Sequence, residues 1–176
     1  MATPKELVET VAAALNVTVN TVTVHDRYLH EAGLRTSGGR GRAAARVTYQ
    51  DAANLLIAIA MSRNVKDSPE TVRTYCELPS VGGRYLFADE KRGASFGDAL
   101  AALLEAAGND SMSYGYQDDL DVTLFGPTPG ARIEWSKRGT QTQRDYGEVS
   151  YLDPIKYMAR LDLTPIGEIG HKVGAP

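Results

Sequence analysis

Hydrophobic residues in the first sixteen positions recur at the spacing of one helix face, which predicts an amphipathic helix. Its start carries three signals: Thr3 as N-cap, Pro4 at the first helical position and Glu6 as the capping-box partner. Asn16 is the predicted end, because asparagine tolerates positive φ. The apolar positions of this helix are Leu7, Val8, Val11, Ala12 and Leu15.

A second helix is predicted after a short turn, with Thr18 or Asn20 as its N-cap and Gly33 as its end. The β-branched run from Val17 to Val24 also fits a strand. Because the apolar pattern continues to the terminating glycine, helix is the favoured interpretation. A third helix is predicted over 48–63, beginning at Thr48 with Asp51 as its capping partner.

The apolar period changes from helical to alternating in the second half of the chain. Helices are predicted from Ser68 to Cys76 and from Ser95 to Gly108, with the segment 80–93 as a loop. Strands are then predicted at 120–124 and 131–135 around the turn GPTPG, and a third at 146–151.

Two further N-caps are predicted, at Asp153-Pro154 and Thr164-Pro165, and glycines are expected to keep the last helix short. The predicted core of this half consists of Leu100, Leu103, Leu104, Val122, Leu124, Ile133, Trp135, Ile155, Met158 and Leu161. The fold class is therefore α+β. We predict two domains: 1–66, and an oligomerisation or regulatory domain over 67–176.

Charge is divided unevenly along the chain, whose net charge is −3. Residues 1–66 carry a net charge of +3, and residues 67–176 carry −6. This asymmetry indicates that only the first part meets a polyanion. The positive charge is concentrated in the segment LRTSGGRGRAAARV, which has four arginines, three glycines and no carboxylate: Arg35, Arg40, Arg42 and Arg46.

Two helices joined by a tight turn form the unit whose second helix lies in the DNA major groove. The stretch NVTVNTVTVHDRYLHEAGL resembles the turn and recognition helix of winged helix-turn-helix DNA-binding proteins. The resemblance covers about residues 4–60 and implies that the basic segment is the wing. The residues of this segment predict a loop with short β arms at 34–36 and 45–47. The chain departs from the family in its long first helix. It also has no preceding helix to complete a three-helix core, and the predicted helix at 49–63 would supply that third member.

Ten residues are the predicted contacts to double-stranded DNA. The second helix supplies hydrogen-bonding side chains that suit base edges, and among them Asn20, Thr21 and Arg27 rank first. The arginines of the wing suit phosphates or a narrow minor groove. The full set is Thr18, Asn20, Thr21, Thr23, His25, Arg27, Arg35, Arg40, Arg42 and Arg46.

The function predicted from these features is sequence-specific DNA binding by an oligomer, a dimer being favoured, in transcription control. One alternative is the small terminase subunit of tailed bacteriophages, which the chain resembles in size and in element order. Another is a protein-interaction module whose basic loop meets an acidic partner.

An enzyme is not expected, and no cofactor or metal is predicted. The three histidines are scattered, and the acidic group Asp118, Asp119 and Asp121 suits a solvated strand edge better than a cation site. Cys76 stands alone, which favours an inert thiol and a reducing, cytoplasmic setting. The apolar runs are too short for a bilayer, and the amphipathic start differs from a secretion signal.

Overall fold

The computed structural model describes residues 2–37, 46–83, 90–109, 119–137, 140–148 and 156–175. Within them the chain forms six α-helices and one five-stranded antiparallel sheet, so the predicted α+β class is confirmed. The helices are α1 (Pro4–Ala14), α2 (Val19–Glu31), α3 (Tyr49–Met61), α4 (Ser68–Cys76), α5 (Phe96–Gly108) and α6 (Leu163–Gly174). The strands are β1 (Ser80–Gly83), β2 (Leu120–Gly126), β3 (Gly130–Lys137), β4 (Thr140–Gly147) and β5 (Tyr157–Asp162).

Local capping chemistry sets the helix boundaries where the sequence predicts them. Thr3 and Glu6 form a capping box at α1, and Thr48 and Asp51 form another at α3. Thr18 caps α2 by accepting a hydrogen bond from the backbone N–H of Thr21. Asn16 has φ +52° and Gly33 has φ +72°, so the predicted left-handed positions after α1 and α2 are confirmed.

The sheet has the strand order β1-β4-β3-β2-β5 and presents one apolar and one charged face. Val122 lies opposite Ile133 on one side and Leu161 on the other, and all three are buried. On the opposite face Arg132 pairs with Asp145, with Nε 2.6 Å from Oδ1, and Arg160 pairs with Asp121. The predicted β2–β3 hairpin and the burial of Trp135 are confirmed.

Strand β5 corrects the helix that the sequence predicts from Asp153-Pro154. The spacing of Ile155, Met158 and Leu161 suits a helix, but residues 157–162 pair with β2. Strand alternation then turns Leu161 inward and leaves Met158 64% exposed, so its predicted core position is wrong. Asp153 to Ile155 lie outside the described residues.

Three other predicted boundaries also change. Strand β1 occupies part of the predicted loop 80–93. Strand β4 begins at Thr140, six residues before the start of the strand predicted at 146–151, and ends at Gly147; residues 149–151 lie outside the described residues. Asp162 rather than Thr164 caps α6. Helix α6 runs for 12 residues despite its glycines, because Gly170 lies against the backbone of α5.

One buried hydrophobic cluster joins α1 to α6 and includes the apolar face of the sheet. Its members come from both sides of residue 66: Val11 and Leu56 on one side, Leu104 and Ile169 on the other. The two units 1–66 and 67–176 stay a prediction about the chain. Helix α6 packs against both α1 and α5. At its contact with α1, Lys172 Nζ lies 3.1 Å from Glu6 Oε1.

Candidate nucleic-acid interface

Helices α1 and α2 are joined by a tight connection over residues 15–18. Asn16 turns the chain in the left-handed conformation, and the N–H of Val17 donates to the Ala12 carbonyl oxygen at 3.0 Å. Val11 of α1 and Val22 of α2 are both fully buried in the same cluster. The first helix thus holds the second in a fixed position and leaves one face of α2 uncovered.

Five of the predicted DNA contacts on α2 and at its N-cap are exposed, and three of them lie on that uncovered face. Val22 and Leu29 are buried on the opposite side of α2. Asn20, Thr23 and Arg27 follow the spacing i, i+3, i+7, so they share the exposed side. The first turn of α2 contains no acidic residue, so the helix itself places no carboxylate at its positive end. The five exposed side chains are Thr18, Asn20, Thr21, Thr23 and Arg27.

His25 does not belong to this face. Its ring is 5% exposed, and Nδ1 lies 2.7 Å from Ser68 Oγ on α4. Ser68 Oγ donates its hydrogen to the Val65 carbonyl oxygen at 2.6 Å, so it accepts from the Nδ1–H of the ring. Burial lowers the pKa of His25. The histidine therefore fastens α2 to α4 as a neutral ring, and we leave it out of the proposed interface.

This buried ring predicts a pH dependence of stability. Because the pKa of His25 is lower in the folded protein than in the unfolded chain, the unfolded chain binds the proton first as the pH falls. Stability should therefore decrease below about pH 6.5, by at most about 1.4 kcal/mol per pH unit. Urea unfolding between pH 5 and pH 8 measures this slope. His25→Gln should flatten this slope; a variant that kept the wild-type slope would contradict the assignment.

Arg35 is also engaged inside the protein. Its Nε lies 2.9 Å from Asp26 Oδ1, and both side chains are 13% exposed. Burial raises the pKa of Asp26, and the Arg35 charge acts against that rise. Arg35 also donates from Nη1 to the Thr36 carbonyl oxygen at 3.1 Å. The ion pair ties Arg35 to the second half of α2, where it is not placed to neutralise a phosphate, so Arg35 too is left out of the proposed interface.

Asp51 joins the two ends of the basic segment. Its Oδ1 accepts from the N–H of Thr36 at 2.7 Å, and its Oδ2 accepts from the N–H of Thr48 at 2.7 Å. Its Oδ2 also accepts from the Thr48 hydroxyl at 2.9 Å. Asn54, one turn later on α3, donates to the Leu34 carbonyl oxygen at 2.8 Å. Both ends of the segment between 36 and 48 are thus bound to the same buried carboxylate.

The sequence indicates only half of this arrangement. The spacing of Thr48 and Asp51 predicts a capping box, but no local pattern relates Asp51 to Thr36, fifteen positions earlier. Arg40 and Arg42, with the rest of 38–45, lie outside the described residues, and Arg46 is exposed. The predicted β arm at 34–36 is absent from the described structure, in which these residues form no strand.

The other candidate chemistry forms no second site among the residues that the structure describes. Asp121 is held by Arg160, Asp118 lies outside the described residues, and the described part of the chain has no group of three metal-binding side chains. Burial raises the pKa of Cys76 to about 12, and its Sγ donates to Asn54 Oδ1 at 3.2 Å. A thiol with so high a pKa is a poor nucleophile at neutral pH.

Comparison of the sequence with models of known protein families, with curated proteins and with solved structures gives no match. Among the helices that the structure describes, none combines the length and the apolar character needed to cross a membrane.

Proposed function

We propose that this protein binds double-stranded DNA sequence-specifically as a winged helix-turn-helix protein and acts in transcription control. The observation that carries the proposal is the exposed face of α2: hydrogen-bonding side chains, no acid in the first turn, and rigid support from α1 and α4. A helix presented in this way fits the major groove, and its N-terminal residues face base edges.

The basic segment complements this helix. Its ends are fixed at Asp51, directly after α2 in the chain, where a wing is expected. Arg40 lies between two glycines, Arg42 follows a glycine, and Arg46 adds a third positive charge. We propose that these three arginines contact the sugar-phosphate backbone or enter the minor groove. A dimer would present two such units to one duplex face, with residues 67–176 providing its contacts.

Removing the wing arginines should weaken binding to all duplexes alike. Arg40→Ala/Arg42→Ala loses two phosphate contacts, so the slope of log K against log salt should become less steep by about 1.8, at about 0.9 per contact. Fluorescence anisotropy of a labelled duplex from about 50 to 200 mM salt measures it. The control, Arg92→Ala/Arg160→Ala, removes the same charge from residues that pair with Glu105 and Asp121.

Two results would overturn the proposal. The first is the absence of binding at about 50 mM salt, where the electrostatic contribution is strong; a protein-interaction module would then be favoured. The second is an equal change of slope in both double variants, since the wing would then contribute no more than any other cations. Light scattering decides the role: a dimer suits a regulator, and a ring of many subunits suits a terminase.

A further inference from the structure

The polar side chains on α2 differ in the hydrogen bonds still available to them. The Thr18 and Thr21 hydroxyl oxygens are 2.8 Å apart, so one donates to the other, and Thr18 also accepts from the N–H of Thr21. The Thr23 hydroxyl donates to the Val19 carbonyl oxygen at 2.7 Å. A hydroxyl has one hydrogen to donate. Thr23 and one member of the Thr18–Thr21 pair have therefore already used theirs within the helix.

Asn20 has kept its hydrogen-bonding capacity. Its side chain is exposed and makes no hydrogen bond to any residue that the structure describes. It lies in the first turn of α2, on the exposed side that it shares with Thr23 and Arg27. A carboxamide offers both a donor and an acceptor, which match N7 and the N6 amino group of adenine in the major groove.

Val19 supplies an exposed apolar surface in the same turn of α2 as Asn20. Its side chain is 50% exposed, and the only other large hydrophobic residues this exposed in the described structure are Val81 and Met158, which lie on strands β1 and β5. Val19 precedes Asn20 and lies one turn before Thr23 on the helix surface. Apolar side chains contact the C5-methyl group of thymine in the major groove.

Arg27 is less suited to base reading than Asn20. Its Nε lies 3.8 Å from Glu31 Oε1, and its guanidinium carbon lies 5.4 Å from the centre of the Tyr28 ring. It is also two turns further from the start of the helix. These contacts favour a role for Arg27 in binding the DNA sugar-phosphate backbone. Base recognition is then left to the side chains of the first turn of α2.

We infer that the first turn of α2 selects A·T base pairs, with Asn20 bound to adenine and Val19 packed on a thymine methyl group. This inference rests on the proposed DNA binding. It makes Asn20 and Val19 the residues that determine specificity, while the threonines mainly secure the start of the helix.

The test begins with selection of bound sequences from a random duplex pool by the full-length protein. The selected duplex is then rebuilt with 7-deazaadenine for single adenines, which removes N7, or with uracil for single thymines, which removes the methyl group. At one adenine, 7-deazaadenine should weaken wild-type binding about tenfold. At one nearby thymine, uracil should weaken it about fourfold, the value of one buried methyl group.

Each variant should lose the response to one probe only. Asn20→Ala should bind the selected duplex about tenfold more weakly and become insensitive to 7-deazaadenine, yet keep its sensitivity to uracil. Val19→Ala should become insensitive to uracil and keep its sensitivity to 7-deazaadenine. Met158→Ala, which truncates an exposed hydrophobic residue on β5 outside the proposed interface, is the control and should keep both responses.

The possible outcomes distinguish failure of this inference from failure of the proposed DNA binding. If no duplex binds, the proposed function and this inference both fail. If specific binding occurs but both variants respond to the two modified bases as the wild type does, DNA binding stands and the assignment of Asn20 and Val19 is overturned. A selected site without an A·T pair overturns it as well.

Discussion

Replacement of Gly170 by alanine is expected to lower the free energy of unfolding by about 3 kcal/mol. A Cβ atom at this position would lie 2.9 Å from the Ala107 Cβ, 3.1 Å from the Gly108 nitrogen and closer still to the Leu104 carbonyl oxygen. These neighbours are helix backbone and a short side chain, which cannot rotate away. Helix α6 would have to move off α5, and its buried residues Ile166 and Ile169 would lose part of their packing.

Gly167→Ala is the matched control on the same helix. A Cβ at Gly167 would meet nothing within 4 Å. Alanine should therefore stabilise the protein by about 0.5–1 kcal/mol, because glycine inside a helix costs that much in conformational entropy. Urea unfolding followed by circular dichroism measures both variants. Stabilisation by both substitutions would show that α5 and α6 do not approach as closely as the structure has them.

Asp51→Ala is expected to have the second large effect, a loss of about 3 kcal/mol. The carboxylate is 5% exposed and accepts hydrogen bonds from the backbone N–H groups of Thr36 and Thr48. Loss of the α3 cap costs about 1 kcal/mol, and loss of a charged hydrogen bond to Thr36 costs about 1.5–3 kcal/mol. Amide exchange at Thr36 and Thr48 should accelerate together, because both bind one carboxylate.

Asp98→Ala provides the comparison for Asp51. Asp98 occupies the same position in α5 that Asp51 occupies in α3, but its described hydrogen bond is to the Ser95 hydroxyl alone. Its removal should cost about 1 kcal/mol or less. If the two aspartates gave the same loss, Asp51 would act only as a cap, and the anchoring of the segment between 36 and 48 would be contradicted.

Sequence reasoning was accurate for most features whose determining interactions lie within four residues, the exception being the α6 cap, which is Asp162 and not Thr164. The caps of α1, α2, α3 and α5, the left-handed Asn16 and Gly33, and the β2–β3 hairpin depend on neighbouring side chains and on local periodicity. The same reasoning placed α2 after a tight turn and picked out its polar residues. It could not distinguish the exposed Asn20 from the buried His25, because both are polar and lie on one helix.

The errors at Met158, Arg35 and Gly170 fall where distant partners decide. Met158 faces outward because β5 pairs with β2, and no pattern within residues 155–162 contains that partner. The sequence around Arg35 predicts a free cation, but in the folded protein Arg35 forms an ion pair with Asp26. From the sequence alone, Gly170 is expected to weaken the last helix. In the structure its lack of a side chain allows the backbones of α5 and α6 to approach closely.

The sequence by itself therefore determined the helices of the first sixty residues, their caps and the excess of positive charge between α2 and α3, since these follow from composition and short-range hydrogen bonding. Only the tertiary structure decided which polar residues of α2 reach solvent, that Asp51 holds both ends of the basic segment, and that β5 completes the sheet. The physical reason is that burial, ion pairing and strand register depend on residues far away in the chain, whose positions are fixed only once the core has packed.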